Sequence, residues 1–481
     1  MSFARFRKIE DKFVVTNDVG KYVFLTDNEL AKFIAGKIRK GSDLYNRLKE
    51  LHFIIDDGKI DEAARIYAQK NSFLGLGPVL HIMILTLRCN EICSYCHASR
   101  APMDKTEYDM SVPTAEKVVD LIFQSPTDTL TIEFQGGEPL ANFDTLKHVV
   151  SYANEKNKTA RKNISFSLVS NLSLLDEEKF NFLIENRIQI CTSLDGPEEL
   201  HDKNRKYSGG SAYKETILWM DRINKKYAEI GLDPVLYHVE ALLTVTRHHF
   251  PQNKEIVEEY LSHGCKAIFI RPLNPFGFAK NTFSKIGYTG GEFIEFYLKT
   301  LDYIIQRNRE GAEILERFAA IFLTKIFTEY DPNYLDIRSP CGAGIGQIAY
   351  NYDGSIFTCD EGRMVYQMGD DSFIIGHSDN AKYGELVTHE TVKSIAVASC
   401  LDSIPFCCDC AYKPYCGTCP VYNYTEQGSI FARMPQNEKC KIHMGIMDHL
   451  FRVLKDGDEQ TRAILERWTQ VKERTAFYQR V

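Results

Sequence analysis

Three cysteines, Cys89, Cys93 and Cys96, lie in one short segment with the spacing C-x3-C-x2-C. Three thiolates on one loop can bind three irons of a four-iron cluster, which leaves one iron without a protein ligand. An open metal position can bind a small molecule, and metal-site chemistry takes place there. Structural zinc is the alternative, but it needs a fourth ligand, and His97 directly follows Cys96 and cannot easily face the same ion. The segment alone leaves both metals open.

A second concentration of cysteines lies in the C-terminal part of the chain. Nine of the 14 cysteines fall between Cys341 and Cys440. Disulfides are not expected there if the protein stays in the reducing cytosol, so dense cysteines indicate metal. A zinc ribbon is the alternative, but two C-x2-C pairs only five residues apart are tight for one tetrahedral site. Cys191 and Cys265 lie alone in strand-like segments and are interpreted as core residues.

The sequence GGEP occupies Gly136 to Pro139, directly after a predicted strand. Paired glycines let the backbone approach a ligand closely, and the Glu138 carboxylate could accept hydrogen bonds from a ligand ammonium group. A plain strand-to-helix turn is the alternative. The functional interpretation is favoured because GGEP ends a strand of the same sheet as the cysteine segment.

Alternating strands and helices must position these motifs. From about residue 80, short apolar segments rich in β-branched residues alternate with helical segments, which predicts a parallel sheet covered by helices. Six such units fit a partial (β/α)6 barrel over residues 80–280, and the chemistry of parallel barrels lies at the carboxyl ends of the strands. Cys89, Cys93 and Cys96 follow the first strand. The segments are HIMILTL, TLTIEFQG, ISFSLVSN, IQICTSLDG, HVEALLTV and KAIFIRPL.

Further units flank the predicted barrel in this α/β chain. Residues 1–75 form a winged-helix-like module, in which FVVTND and KYVFLTD make a hairpin and two amphipathic helices follow, the second capped by Ser42 or Asp43. Residues 281–335 are a helical connector, residues 336–445 a cysteine-rich domain, and residues 446–481 a C-terminal helix.

Composition limits the partners and the compartment. The net charge of −7 favours neither nucleic acid nor an anionic membrane. No apolar segment reaches the roughly 20 residues that cross a bilayer. The N-terminal MSFARFRKIEDKF has no apolar signal region, so a cytoplasmic location is expected.

The cysteine motif after a first strand, with Tyr95 before its last cysteine and GGEP after the second strand, resembles the radical S-adenosylmethionine (SAM) enzymes over about residues 80–275. In that family the open iron binds the amino and carboxylate groups of SAM. Reductive cleavage then gives a 5′-deoxyadenosyl radical that abstracts hydrogen from the substrate. The resemblance implies SAM as a cofactor and an external one-electron reductant of the flavodoxin or ferredoxin type.

The same resemblance implies the residues that contact SAM. Gly136, Gly137 and Glu138 would contact the methionine amino group, and Tyr95 would lie near the adenine.

Residues at later strand ends complete the implied site. Ser170 and Asn171 would face the ribose, Ser193 and Asp195 lie at the next strand end, and Arg205 would pair with the methionine carboxylate. The residues themselves also allow a turn cap at Asn171, a turn at Asp195 and a solvated loop cation at Arg205.

The later cysteines resemble the seven-cysteine signature of SPASM domains, which carry two auxiliary iron–sulfur clusters. One departure is the two-residue spacing between Cys416 and Cys419, where the family commonly has three. The resemblance implies three [4Fe-4S] clusters in all, the auxiliary ones bound by Cys407, Cys410, Cys416 and Cys440 and by Cys341, Cys359 and Cys419. Seven thiolates are one short of eight. The second auxiliary cluster therefore has an open iron, or takes Cys400, Cys408 or an oxygen ligand.

Asp360 directly follows Cys359. In sulfatase-maturating relatives an aspartate in this position takes a proton from the substrate, and a carboxylate in a shielded cavity could serve as such a base. A surface turn acid is the alternative.

The substrate is expected to be a precursor peptide or protein with a leader, because SPASM-containing enzymes mostly act on peptides. The N-terminal module resembles peptide-recognition elements that add a leader as a strand to an exposed sheet edge, here FVVTND or KYVFLTD. A structural appendage is the alternative. The N-terminal segment also resembles maturases of the His-Xaa-Ser peptide system.

The sequence therefore predicts a radical SAM peptide maturase that oxidises or crosslinks side chains. The alternatives are a sulfatase maturase that forms formylglycine and a non-catalytic metal-binding peptide scaffold.

Overall fold

The structure, a computed structural model, describes residues 4–55, 58–470 and 474–479. Its N-terminal part is a three-stranded antiparallel sheet with helices packed against it. Ser42 caps the second helix by accepting a hydrogen bond from the Tyr45 backbone N–H at 3.2 Å. The elements are β1 (Ala4–Ile9), β2 (Lys12–Asn17), β3 (Tyr22–Leu25), α1 (Asp27–Ile34), α2 (Asp43–Glu50) and α3 (Ile60–Lys70).

Parallel strands at the centre of the molecule coincide with the six segments read from the sequence, and the partial (β/α)6 barrel is confirmed. Two short strands, β5 and β9, pair with each other outside the main sheet. The elements are β4 (Leu80–Thr86), β5 (Glu91–Cys93), α4 (Val112–Ile122), β6 (Thr129–Gly136), α5 (Phe143–Ala160), β7 (Asn163–Val169), α6 (Glu177–Glu185), β8 (Gln189–Ser193), α7 (Glu198–Asn204), β9 (Arg205–Tyr207), α8 (Ala212–Glu229), β10 (Glu240–Thr244), α9 (Asn253–Ser262), β11 (Ala267–Arg271) and α10 (Phe278–Ile286).

The rest of the chain is a helical connector followed by a mixed cysteine-rich part. The connector holds α11 (Gly290–Arg309), β12 (Leu315–Glu316) and α12 (Arg317–Phe327). The cysteine-rich part holds β13 (Gln347–Tyr350), β14 (Ser355–Phe357), α13 (Asp360–Tyr366), β15 (Ile374–His377), α14 (Tyr383–Val387), α15 (Glu390–Ser399), α16 (Pro420–Gln427), α17 (Glu438–Asp456) and α18 (Glu459–Arg467).

One sheet runs through the barrel, the connector and the cysteine-rich part. Its strand order is β12-β11-β10-β8-β7-β6-β4-β13-β14-β15. β13 lies parallel to β4, with Gln347 opposite Leu80, and β14 and β15 continue the sheet in antiparallel fashion. The sequence suggested that the metal-bearing C-terminal region is separate from the first cysteine loop. Backbone pairing instead joins the two regions across the expected boundary at residue 336.

Two local expectations differ from the structure. β1 precedes the predicted hairpin and pairs with β2, so FVVTND lies in the central strand and cannot accept a further strand, whereas β3 is at the edge. The segment 446–481, expected to form a C-terminal helix, instead holds the end of α17 and the separate helix α18, which ends at Arg467; its residues 471–473, 480 and 481 lie outside the described residues. None of the described helices is long and apolar enough to cross a membrane.

Side chains alternate between the two faces of the barrel strands. On β6, Leu130, Ile132 and Phe134 are fully buried and pack into the main core with residues of the covering helices. Glu133 and Gln135 point to the opposite face and are only half-buried. Because the strand period is two and helices cover the outer face, these polar side chains line the barrel interior.

Candidate active site

The segment of Cys89, Cys93 and Cys96 begins three residues after β4 and is fixed by backbone pairing on both sides. The Cys89 N–H donates to Ala101 O at 3.0 Å. β5 pairs antiparallel with β9, which sets Cys93 opposite Arg205. The Phe278 N–H, at the start of α10, donates to Cys96 O at 2.9 Å. The loop is thus held at the carboxyl end of β4, where parallel barrels have their active sites.

A half-buried ion pair holds the start of this loop. Arg88 donates from Nε and Nη2 to the two carboxylate oxygens of Asp109 at 2.8 and 2.7 Å, and from Nη2 also to Ala141 O at 2.6 Å. Bidentate pairing of this kind fixes the geometry of both groups. Arg88 therefore ties the cysteine loop to the turn that follows GGEP.

The glycines of GGEP pack directly against the backbone that leads into the cysteine loop. A Cβ on Gly136 would lie 2.0 Å from Thr86 O, and one on Gly137 would lie 2.3 Å from Leu87 O and 2.4 Å from Arg88 O. Gly136 also has φ of +148°, a region that L-residues rarely adopt. Both positions thus require glycine for packing, whether or not they also approach a ligand.

Glu138 is fully buried and joins GGEP to the end of β7. Its carboxylate accepts hydrogen bonds from the Leu140 N–H at 3.0 Å, the Ser170 hydroxyl at 2.8 Å and the Asn171 N–H at 2.8 Å. Burial raises the pKa of Glu138 to about 7, although these three donors oppose the shift. The structure therefore gives Glu138 and Ser170 a role in positioning this strand end. Their contacts with SAM remain predictions.

Asn171 reaches the cysteine loop. Its side-chain amide donates to Asn90 Oδ1 at 3.1 Å and lies 3.9 Å from the Cys89 sulfur. Its Oδ1 accepts hydrogen bonds from the Ser173 N–H and hydroxyl. Asn171 thus lies beside the first cysteine of the motif, and its contact with the SAM ribose stays a prediction.

Tyr95, Asp195, Arg205 and Glu91 form a buried network behind Cys93. The Tyr95 hydroxyl donates to both oxygens of Asp195 at 2.8 and 2.6 Å, and the Arg205 guanidinium lies 5.3 Å above the Tyr95 ring. Arg205 is also 3.3 Å from Glu91 Oε2 and 3.4 Å from Asp195 Oδ2. Tyr95, Asp195 and Arg205 were predicted from the sequence as residues of the SAM site. The structure brings them together, but their polar groups bind one another. Glu91 was not predicted, because an acidic residue within a cysteine loop is expected to be exposed to solvent.

Burial dominates the acid–base chemistry of the motif thiols. It raises the pKa of Cys89 and of Cys93 well above the ordinary value, and nearby Glu138 and Glu91 add to the effect. The Cys89 and Cys96 thiols also raise the pKa of Cys93, and Cys96 raises that of Cys89, so the three thiols lie close together. All the cysteines in the described residues are free. A bound metal would keep such thiols ionised.

Four C-terminal thiols line one cavity. The cavity has a volume of about 440 Å³, and its wall also contains Met434, Met444 and Met447. The sulfur of one of its cysteines, Cys416, lies 3.6 Å from His443 Nδ1. The cysteines are Cys407, Cys410, Cys416 and Cys440, the same four that the sequence groups as ligands of one auxiliary cluster.

The other three signature cysteines share a separate apolar cluster. Cys341, Cys359 and Cys419 are each 3% exposed and pack with Phe276 and Tyr422. Burial raises the pKa of all three thiols. Besides one another, the groups that act on these thiols are acidic residues the sequence did not single out, Asp336 and Glu361, and the cation Lys439.

The candidates for the missing ligand lie at different places. Cys400 follows Ser399, whose hydroxyl accepts a hydrogen bond from the Cys341 N–H at 2.9 Å. Cys408 instead acts on Cys407 and so belongs with the four-thiol cavity. Among oxygen ligands, Glu361 and Asp336 are the carboxylates near the three thiols.

Asp360 begins α13 and is buried, which differs from a surface turn acid. It accepts two hydrogen bonds from Arg363, at 3.0 and 2.9 Å, and Arg363 in turn donates to Ala98 O at 3.2 Å, two residues past Cys96. Asp360 also raises the pKa of Glu133 on the interior face of β6. The carboxylate therefore lies between the cysteine loop and the barrel interior.

Ser193, at the end of β8, is half-buried on that interior face.

Metal spacing gives a further observation. Within residues 4–55, 58–470 and 474–479, no three His, Cys, Asp or Glu side chains are spaced to hold a single metal ion.

Comparison with known proteins identifies one region. Residues 83–229 match the family model described as the Radical SAM superfamily. An uncharacterised protein of Methanocaldococcus jannaschii is 29% identical over 195 residues, which are 40% of this chain and 62% of that protein. A cysteine-type anaerobic sulfatase-maturating enzyme of Clostridium novyi is 23% identical over 333 residues, which are 68% of this chain and 83% of the enzyme. The match to the first relative thus spans less than two thirds of its length.

Solved structures share the fold over most of the chain. Native anSMEcpe with bound AdoMet has a TM-score of 0.65 at 19% identity, covering 81% of this chain and 99% of that one. SuiB of Streptococcus suis, bound to its precursor peptide SuiA, has a TM-score of 0.54 at 15% identity, covering 89% of this chain and 97% of that one. Likeness at these identities shows the fold alone.

Proposed function

We propose that this chain, whose residues 83–229 form a radical SAM domain, is a peptide maturase that oxidises or crosslinks side chains of a ribosomally made precursor. The observation that carries the proposal is the loop of Cys89, Cys93 and Cys96, whose thiols lie close together at the carboxyl end of β4. The relatives support the substrate class, since one is named for maturing sulfatases and another is bound to a precursor peptide.

The cofactors follow from the family and from the thiols. The radical SAM family implies one [4Fe-4S] cluster and SAM. We assign that cluster to the loop of Cys89, Cys93 and Cys96, and two further clusters to the C-terminal thiols, three in all. The residues present fit such groups, because four soft thiol ligands converge on one cavity of about 440 Å³.

When bound, the cluster and SAM would supply radical chemistry for removing a hydrogen atom from the substrate. The chain's own residues position and shield this chemistry. Arg88 and Asp109 hold the loop, and Gly136 and Gly137 let its backbone pack against GGEP. Arg205 and Tyr95 lie behind Cys93 and support its position. Asp360, which is held by Arg363, would accept a substrate proton.

The partners we propose are a leader-bearing peptide and a one-electron reductant of the flavodoxin or ferredoxin type, in the cytoplasm. β3 is the edge strand at which the leader would dock in the N-terminal module. Its outer edge presents backbone groups that a peptide strand can pair with.

The decisive experiment is anaerobic reconstitution with iron and sulfide, followed by SAM and a reductant. We expect about twelve irons per chain, as three four-iron clusters require, and formation of 5′-deoxyadenosine. The variant C93A should retain the iron of the C-terminal groups, about eight per chain, and lose cleavage. Stoichiometric zinc without 5′-deoxyadenosine would instead identify a non-catalytic peptide scaffold.

A second candidate function is a sulfatase-type maturase that makes formylglycine. The observation that favours it is the buried position of Asp360 between the cysteine loop and the barrel interior. A synthetic sulfatase-motif peptide that gains an aldehyde with the wild-type protein, but not with D360N, would select this function over peptide crosslinking.

A further inference from the structure

A second cavity, of about 420 Å³, opens at the carboxyl end of β11, beside the four-thiol cavity, with which it shares Lys439 and His443. Three parts of the chain line it. Arg271 and Asn274 come from the end of β11 and the loop beyond it, Asp336 from the segment after α12, and Lys439 from α17. Carboxyl ends of barrel strands are where substrates bind. The cavity therefore lies where a substrate side chain can be recognised beside the cysteine sites.

Arg271 points to the barrel interior. On β11, Ile268 and Ile270 are fully buried on the outer face, whereas Arg271 shares the other face with Phe269. The Arg271 guanidinium carbon lies 5.6 Å from the centre of the Phe269 ring. Stacking on an aromatic ring holds a guanidinium in place and leaves its N–H groups directed outward.

The guanidinium has no acceptor within the part of the chain that the structure describes. A guanidinium carries five N–H donors and is always charged, so it needs acceptors when it is withdrawn from water. Two acids act on Arg271. Asp336 pairs with Lys439 at 2.7 Å, and Glu361 is not part of the cavity wall. Because the charges of Lys439 and Asp336 cancel, Arg271 gives the cavity wall a net charge of one positive unit.

A second unpartnered group lies in the same wall. The side-chain oxygen Oδ1 of Asn274 is buried and accepts no hydrogen bond among the described residues. A buried acceptor without a donor is costly, so this oxygen also indicates a missing ligand group. A cation and an amide acceptor together suit a peptide segment, whose carboxylate pairs with the cation while an N–H donates to the amide oxygen.

We propose that Arg271 is a specificity-determining residue that binds a carboxylate of the substrate peptide in this cavity, an inference that rests on the proposed function. The carboxylate belongs either to an acidic side chain or to the peptide C-terminus. Arg271 receives it in a bidentate arrangement, and Asn274 accepts an N–H of the adjacent backbone.

The test uses three synthetic peptides with the reconstituted full-length protein and isothermal titration calorimetry. The peptides are Ac-Ala-Ala-Glu-Ala-Ala-NH2, with an internal carboxylate, Ac-Ala-Ala-Gln-Ala-Ala-OH, with a terminal one, and Ac-Ala-Ala-Gln-Ala-Ala-NH2, with none. We expect one carboxylate peptide to bind at least about tenfold more tightly than the uncharged peptide. Which of the two does so identifies the source of the carboxylate.

Variants distinguish peptide binding by Arg271 from a role of Arg271 within the protein itself. R271Q should abolish the tenfold preference. R222Q, which alters an exposed arginine paired with Glu177, should keep it. E361Q should also keep it, whereas its loss in E361Q would show that Arg271 acts through Glu361. Equal or undetectable binding of all three peptides to the wild type, or a preference that persists in R271Q, would overturn the inference.

The outcome is distinguishable from failure of the proposed function. SAM cleavage is measured separately, without peptide, and peptide binding does not depend on turnover. Wild-type protein that forms 5′-deoxyadenosine but shows no carboxylate preference loses only the role of Arg271. Protein that shows an Arg271-dependent preference without cleaving SAM loses the maturase function.

Discussion

Backbone N–H groups at helix starts point at two of the buried C-terminal thiols. Cys359 precedes α13 and accepts from the Gly362 N–H at 3.4 Å, and Cys419 precedes α16 and accepts from the Tyr422 N–H at 3.4 Å. A helix N-terminus favours negative charge and lowers the energy of a thiolate. Local structure thus offsets part of the burial that otherwise keeps these thiols protonated.

Gly137 offers the sharpest test at the scale of one residue. G137A would place a methyl group 2.3 Å from Leu87 O and 2.4 Å from Arg88 O, which are backbone atoms that cannot turn aside. We expect a loss of unfolding free energy of about 1–3 kcal/mol and displacement of the cysteine loop. Chemical denaturation and iron content after reconstitution measure the two effects.

The matched control for G137A is G384A. Gly384 lies in α14, and a methyl group added there would meet nothing within 4 Å, so alanine should be neutral or slightly stabilising. If G137A retained the stability and iron content of G384A, the close packing of GGEP against the loop would not matter.

Asp360 carries a prediction about proton transfer. If it is the base, D360N should slow product formation by about 10²–10⁴-fold while the release of 5′-deoxyadenosine continues, because the substrate proton has no acceptor. D371N, which alters an exposed aspartate beyond the end of α13, serves as the control. Equal rates of product formation in D360N and the wild type would assign Asp360 to the ion pair with Arg363 alone.

The short strand β9 pairs with β5 of the cysteine loop, and Arg205 is the charged residue opposite Cys93 in this pair. Arg205 lies between Glu91 and Asp195 in a buried site. R205Q leaves those carboxylates without a cation, so we expect a loss of about 3–5 kcal/mol in unfolding free energy. The double variant E91Q/R205Q should recover part of the loss, because it removes one of the stranded charges.

The same variants decide between the two roles of Arg205. A residue that pairs with the SAM carboxylate would lose SAM binding in R205Q with little change in stability. Calorimetry with SAM, beside the denaturation curves, separates that outcome from the structural one.

Glu316 joins three elements, because its carboxylate accepts from Ile270 of β11, Ala319 of α12 and the Tyr297 hydroxyl of α11. Burial raises its pKa from the ordinary value to about 7. The folded state therefore holds a proton that the unfolded chain loses first, and stability falls as pH rises from about 4.5 to about 7.

We expect E316Q to remove about 3 kcal/mol of that pH dependence. Melting temperatures of wild type and variant at several pH values between 4.5 and 7 provide the measurement. Glu240 gives the opposite case. Burial alone would raise its pKa, but Arg317 and Arg474 lower it to about 2, so its contribution to stability changes below this window. E240Q should therefore leave the slope between pH 4.5 and 7 unchanged.

At the scale of the whole molecule, the main sheet couples the partial barrel to the cysteine-rich part. β13 covers the edge of β4, whose residues are almost all buried. A chain truncated after residue 335 would expose that apolar edge, and exposed edge strands promote aggregation. We expect the truncated protein to be insoluble or aggregated by size-exclusion chromatography. A soluble monomer that still cleaves SAM would show that the two parts are independent.

Strand positions were predictable because barrel strands in this chain are short apolar segments bounded by turns. The segment TLTIEFQG coincides with β6 residue for residue. β1 was missed because ARFRKI carries three cations and lacks an apolar run, and only its pairing with β2 reveals it. The continuation of the sheet through β13 was missed because a parallel pair between distant segments leaves no local signal.

The same contrast between local sequence signals and contacts between distant segments applies to the site residues. The resemblance of the later cysteines to the SPASM signature grouped Cys407, Cys410, Cys416 and Cys440, and these four line one cavity. The network of Tyr95, Asp195, Arg205 and Glu91 was not predictable, because its members approach from separate loops and their charges pair only after folding.

Sequence alone determined the chemistry available to this protein. Cysteine type and spacing, and the paired glycines after a strand, are local properties that follow from residue order, and so are the six strands. Tertiary structure alone decided which charges are satisfied. It engaged Glu138, Asp195 and Arg205 within the protein and left Arg271 without an acceptor among the described residues. Charge pairing depends on distances between segments far apart in the chain, and those distances exist only once the sheet has closed.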